Sequence, residues 1–223
     1  MDARNRLSIV VGLLVAWGGT ALLVSPIMLR PGTSSLLLQC LGQAALWLLL
    51  AVVIGIVVLW EKQPLASLWL RPFDLTALAW AGVLVSINVV VLFPFTEWVR
   101  HSTQLPGYSQ GMEQALALPV WLRIVAVVTA GVVEETLFRG YAVTRLIYLT
   151  RSRWIAAVLA TAVFAALHLP VWGPGPALAF LLGGLATTAF FIWRRDLLAM
   201  VIAHVALDAW ALVITPFFSR WWS

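Results

Sequence analysis

Apolar residues run along this chain in long blocks separated by short polar stretches. Seven blocks approach the length of a membrane span: residues 7–29, 36–60, 75–96, 116–147, 154–169, 177–193 and 197–217. A hydrocarbon core about 30 Å thick takes roughly 20 apolar residues per helix. The pattern therefore predicts an all-α fold, a polytopic transmembrane helix bundle of about seven helices (six to eight). The fourth block exceeds what a bilayer needs, so its end is expected to project into the cytosol. Arg30-Pro31-Gly32 and the stretches 61–74 and 98–113 read as connections from their charge, Pro and Gly. Within the second, Leu65, Leu68 and Trp69 are expected to form a short helix lying in the interface. No internal repeat or low-complexity tract interrupts the pattern, and residues 1–223 read as a single membrane domain.

Composition agrees with that picture. The chain is 62% hydrophobic and 10% charged over 223 residues, too little polar surface for a water-soluble domain of this size. The lipid bilayer is the implied partner. A formal charge of +5 could suggest nucleic acid, but the 14 basic residues are scattered through short connections without a basic face interleaved with aromatics, so no nucleic acid is expected. Cys40 is the sole cysteine, which excludes an internal disulfide and a CxxC metal motif. Arg4 and Arg6 precede the first block as in a signal peptide. The block is long for that role and no A-x-A pattern follows, so it reads as a retained helix.

Basic residues set the expected orientation. Arg4, Arg6, Lys62, Arg71, Arg145, Arg151, Arg153, Arg194 and Arg195 fall on the N-terminal side; Arg30, Arg100, Arg123 and Arg220 fall on the other. The N-terminus is thus expected in the cytoplasm. Trp60, Trp98, Trp121, Trp154, Trp172, Trp193, Trp221 and Trp222 lie near block ends, as an aromatic belt does. A small bundle without retention or targeting signals points to a prokaryotic plasma membrane.

Ionisable residues inside predicted spans include Glu134, Glu135, Arg139, His168, His204 and Asp208. An Asp, Lys or Arg at a helix centre costs about 2.5–3.5 kcal/mol on insertion scales, so such residues face the bundle interior or a wet cavity and mark function by default. Glu135 and Arg139 are four apart and share a helix face, as do His204 and Asp208, and Phe164 and His168. Glu134 precedes Arg151 by 17 residues and His168 follows it by 17. In an antiparallel hairpin turning near Arg151 the two would meet at one level. With Arg145 at the surface, Glu134 lies about 16 Å deep at 1.5 Å per residue, and His204 reaches a similar depth.

On these residues the chain resembles a family. Glu134-Glu135-Thr136-Leu137-Phe138-Arg139 fits EExxxR, Phe164–His168 fits FxxxH, and His204–Asp208 fits HxxxN/D. These are signatures of the CAAX-protease and bacteriocin-processing family of glutamate-dependent intramembrane proteases, also called the abortive-infection family. Arg139-Gly140-Tyr141 is family-like too. The resemblance covers about residues 116–215, which makes these the catalytic core helices and leaves 1–115 as helices without diagnostic motifs.

The resemblance implies an intramembrane endopeptidase without a metal or other cofactor, acting on a membrane-associated peptide or protein. It implies Glu134 as the base that activates water, His168 as a holder or activator of that water, and His204, with Asp208, as the oxyanion site. Glu135, Arg139 and Phe164 are implied as supporting residues. An Asn at the last motif position donates a hydrogen bond directly, whereas Asp208 donates only when protonated; it either does so or orients His204 as a charged partner. Other functions fit the same residues. Buried Glu, His and Asp chains also serve proton-coupled transporters, a degenerate member would be a membrane scaffold, and Glu134, His168 and His204 could ligate zinc. Against the transporter, the chain has no inverted repeat. Ala179, Gly183 and Thr187 read as a stripe for close helix packing, Pro170 and residues 173–176 as a stiff connector, and His101 as a solvated loop residue.

Overall fold

The computed structural model describes residues 3–28 and 36–219, and among these it is helical with no strand. Helix α1 is Ala3–Met28 and α2 is Leu36–Gly55, prolonged by a π turn at Ile56–Trp60. Helix α3 runs from Leu75–Ile87 through a π turn at Asn88–Leu92 into Phe93–Ser102. A short α4 spans Ser109–Leu116. Helix α5, residues 120–150, opens α-helical, winds as a π-helix over Ala130–Val143 and closes α-helical over Thr144–Thr150. Then come α6 (Arg153–Trp172), α7 (Pro174–Arg194) and α8 (residues 197–219, with a π turn at Trp210–Ile214).

All the long helices except α5 are long and apolar enough to cross a membrane. Helix α5 is long enough, but Arg123, Glu134, Glu135, Arg139 and Arg145 dilute its apolar character. Its neighbours compensate. The π-wound stretch packs against α8, α6, α1, α2 and the 3₁₀ turn Leu65–Leu68. Val133, Tyr141, Ala142 and Val143 are fully buried. A helix buried all round occupies the bundle interior, where its charges meet protein groups rather than lipid. Large apolar residues on the outer helices, Leu14, Leu22, Leu48, Leu59 and Val90 among them, point outward and are exposed, as lipid contact requires.

Short turns with side-chain caps set the hairpins. After α5 the chain turns on Arg151, at φ 59°, and Ser152, whose hydroxyl accepts from the Ile155 amide at 3.2 Å. After α7 it turns on Arg195, at φ 52°, and Asp196, whose carboxylate accepts from the Ala199 amide at 3.1 Å. Such caps satisfy amides that have no partner within the helix. Asp74 caps α3 likewise, and its bonds from the Thr76 hydroxyl and the Ala77 amide hold its carboxyl below the usual carboxylate range. Helices α6 and α7 are joined at Gly173 alone, whose φ of 83° suits glycine.

The structure corrects the sequence reading at several points. Helix α3 continues to Ser102, so His101, though exposed, lies in a helix. The stretch 98–113 holds the end of α3 and the start of α4. Pro170 lies inside α6 and Pro174 opens α7, so the expected connector shrinks to one residue. The short helix expected around Leu65 is a 3₁₀ turn, Leu65–Leu68, with Leu65 exposed and Leu68 buried, and the Trp69 carbonyl after it accepts from the Leu197 amide at 3.0 Å. Close approach of α6 and α7 runs through Gly184 and through Thr161 and Thr188, whose hydroxyls are 3.1 Å apart, while Gly183 faces open space. Arg123 and Arg145, counted above as interfacial, are buried. Arg30-Pro31-Gly32, Arg220, Trp221 and Trp222 lie outside the described residues, as does the Arg4 side chain.

Candidate active site

The centre of α5 carries two consecutive carboxylates. Neighbouring residues on a helix project roughly a quarter-turn apart, so Glu134 and Glu135 are offered to different helices. Glu134 faces α6, with Oε2 3.9 Å from Nε2 of His168. Glu135 faces α8, with Oε1 2.7 Å from Nδ1 of His204. Their surroundings differ as well. The Glu134 side chain keeps 23% of its surface accessible, whereas that of Glu135 keeps 4%.

Hydroxyl-to-carbonyl bonds four residues back, found in the α-helical stretches as well, recur in this wide winding. Where the backbone bond spans five residues, the carbonyl four residues back is open to a side chain. The Thr136 hydroxyl donates to the Val132 carbonyl at 2.7 Å, and that of Thr144 to Gly140 at 2.5 Å. π-helical turns are rare and concentrate at functional sites.

On the α6 side, Nδ1 of His168 lies 2.7 Å from the Phe164 carbonyl oxygen. That oxygen can only accept, so Nδ1 carries a proton, and in the neutral form of the ring Nε2 faces Glu134 as an acceptor. Two acceptors 3.9 Å apart do not bond to each other, but both can accept from one water between them. Phe164 ties this pair to the first motif. Its ring centroid is 4.3 Å from that of His168, 5.2 Å from that of Phe138, and 4.4 Å from the Arg139 guanidinium carbon. The contact with Arg139 is a cation–π pair in a dry setting.

On the α8 side, Arg139 donates to the same Glu135 oxygen that His204 meets, at 3.1 Å. The other ring nitrogen of His204 lies 3.4 Å from the Asp208 carboxylate. Arg139, Glu135, His204 and Asp208 thus form one chain from the buried interior to a half-exposed end. In its doubly protonated form His204 donates from both nitrogens, to Glu135 inward and to Asp208 outward. Among the described residues no group of three His, Cys, Asp or Glu side chains is placed to hold a metal ion; the two histidines meet different carboxylates instead.

Two features lie beyond the motifs. The Phe180 ring of α7 closes on His168 with centroids 4.8 Å apart, and Trp172 and Tyr108 pack edge-on against Phe180. Tyr108 sits in the connection before α4, where burial and the nearby Glu97 push its hydroxyl up to about 12 against the pull of Arg100. Farther along α5, Tyr141 and Arg145 both bond to Glu61 from the end of α2. The Arg139-Gly140-Tyr141 sequence hints at Tyr141, but no spacing links it to a carboxylate 80 residues away.

No curated protein and no solved structure matches the chain. Residues 116–210 match the sequence model of a family described as type II CAAX prenyl endopeptidase Rce1-like. The matched segment contains Glu134, Glu135, Arg139, Phe164, His168, His204 and Asp208, the residues of both clusters. Residues 116–210 of this integral membrane helix bundle, somewhat under half of the chain, are thus similar to the Rce1-like type II CAAX prenyl endopeptidase family.

Proposed function

We propose that the chain is an intramembrane endopeptidase that cleaves a membrane-associated peptide or protein with water activated by Glu134. The observation that carries this reading is a partly accessible carboxylate whose Oε2 lies 3.9 Å from Nε2 of His168, a separation that one water can bridge. Peptide hydrolysis needs a base for water, donors for the oxyanion and an acid for the leaving amine. Glu134 takes a proton as the water oxygen bonds to the scissile carbonyl carbon. The carbonyl oxygen becomes an oxyanion, which shares the outward N–H of doubly protonated His204 with the Asp208 carboxylate. As the C–N bond breaks, protonated Glu134 passes its proton to the leaving nitrogen, which restores its carboxylate. Arg139 and Glu135 hold His204 at the inner end, and Asp208 holds it at the outer end.

The test compares protein termini in membranes of cells producing the wild type or Glu134→Ala at matched expression. New termini that arise only with the wild type are the expected result, and they identify substrates. Identical termini, with both proteins folded and abundant in cells that contain the substrates, would overturn the reading.

A further inference from the structure

We infer that Glu61, on the end of α2 and outside the family-matched segment, is a positioning residue for the two carboxylates of α5. It acts through Tyr141 and Arg145. The Tyr141 hydroxyl donates to one Glu61 oxygen at 2.8 Å, and Nε of Arg145 donates to the other at 2.8 Å. Arg145 also donates to the Ser67 carbonyl and hydroxyl, at 3.2 and 2.9 Å. Its bonds thereby reach the 3₁₀ turn Leu65–Leu68. Glu61, Tyr141 and Arg145 are all buried. Gly12 of α1 lies directly against the Tyr141 hydroxyl, where a Cβ would collide with the phenol. Three segments from the N-terminal half of the chain thus grip α5 just beyond its motif, with a charge pair that the proposed chemistry does not use.

The grip constrains rotation of α5 about its axis. Tyr141 and Arg145 project from the same helix as Glu134 and Glu135, so turning one pair turns the other. Side-chain tips lie about 5–6 Å from a helix axis, so a rotation of about 10° moves a carboxylate by about 1 Å. A misplacement of that size can cost up to about a hundredfold in rate. Burying a charge pair here adds a directional grip from α1, α2 and the 3₁₀ turn. It joins the grips that Glu135 makes with His204, Arg123 with the Leu212 carbonyl and Thr129 with Trp47, and so helps to fix the rotational setting of α5.

The kinetic part of the test rests on the proteolytic reading; the second part does not. Tyr141→Phe removes one hydroxyl and Glu61→Gln keeps the side-chain shape. Each is expected to lower kcat roughly tenfold with KM unchanged, and the double variant is expected to lower it little further, since both break one device. Tyr148→Phe serves as the control. Unchanged kcat per folded molecule, with only a lower unfolding temperature, would make the cluster merely structural and overturn the inference.

The second readout needs no activity. In a Cys40→Ala background, Glu134→Cys and His168→Cys are joined by a short bifunctional thiol reagent. Adding Tyr141→Phe is expected to slow that cross-linking severalfold, and an unchanged rate would again overturn the inference. If the wild type shows no Glu134-dependent cleavage, the proteolytic reading fails, while the cross-linking rate still decides whether Glu61 positions the helix.

Discussion

Consecutive glutamates with opposite surroundings give the site its division of labour. Glu134 is partly accessible and faces a histidine across a water-sized gap, while Glu135 is sealed and bonded to Arg139 and His204. The spacing of the motifs makes all these residues legible in the sequence, because positions four apart share a helix face. The meeting of Glu134 and His168 follows from their equal distance to the turn at Arg151. The pairing of His204 with Glu135 is not legible, since it depends on the rotational setting of α5 against α8. Asp208 is where residue chemistry makes the sharpest prediction. It lies 3.4 Å from His204; an amide there would orient the ring or donate to an oxyanion without needing a proton. Asp208→Asn is expected to retain cleavage within a few-fold, measured on purified protein. A folded but inactive Asp208→Asn would show that the negative charge itself is required.

At the scale of elements, the apolar blocks are readable because membrane spans must be long, helical and apolar. Their ends are less so. Helix α6 passes through Pro170 and α7 begins on Pro174, so residues that usually signal a connector are absorbed into helices that meet at Gly173. The π winding of Ala130–Val143 has no clear sequence signal, because apolar periodicity is blurred in a helix buried on most sides. Packing between α6 and α7 is likewise one residue out of phase with the small-residue stripe that the sequence suggests. At Gly184 a Cβ would come 2.8 Å from the Thr161 methyl, whereas at Gly183 it would meet nothing within 4 Å. Gly184→Ala is therefore expected to cost about 1–3 kcal/mol through overpacking. Gly183→Ala is expected to be neutral or slightly stabilising, since alanine favours helix by about 1 kcal/mol. Unfolding of both variants in detergent checks the contrast, and equal stabilities would refute the packing register.

For the whole molecule, the bundle surrounds its charged helix with apolar helices and thereby holds ionisable groups at membrane depth. The motifs make the C-terminal part recognisable, whereas the share of α1 and α2 in fixing α5 is invisible in the chain order, because Glu61 reads as part of a polar connection. The proposed chemistry involves no metal, and this too is testable on the intact protein. Cleavage is expected to survive chelation, with less than one equivalent of zinc per purified chain. One tightly held zinc, with activity lost on its removal and restored on its return, would replace the glutamate mechanism with a metal-dependent one.

The most direct measurement takes a substrate identified from the membrane comparison and follows its cleavage by purified wild type and Glu134→Gln in the same lipid vesicles. The variant keeps the size and polarity of the side chain and removes only the base. The account predicts cleavage by the wild type at the cellular site, and a loss of at least about a hundredfold in kcat with Glu134→Gln at unchanged unfolding temperature. Equal cleavage by both proteins would contradict it, because the water would then be activated by some group other than Glu134.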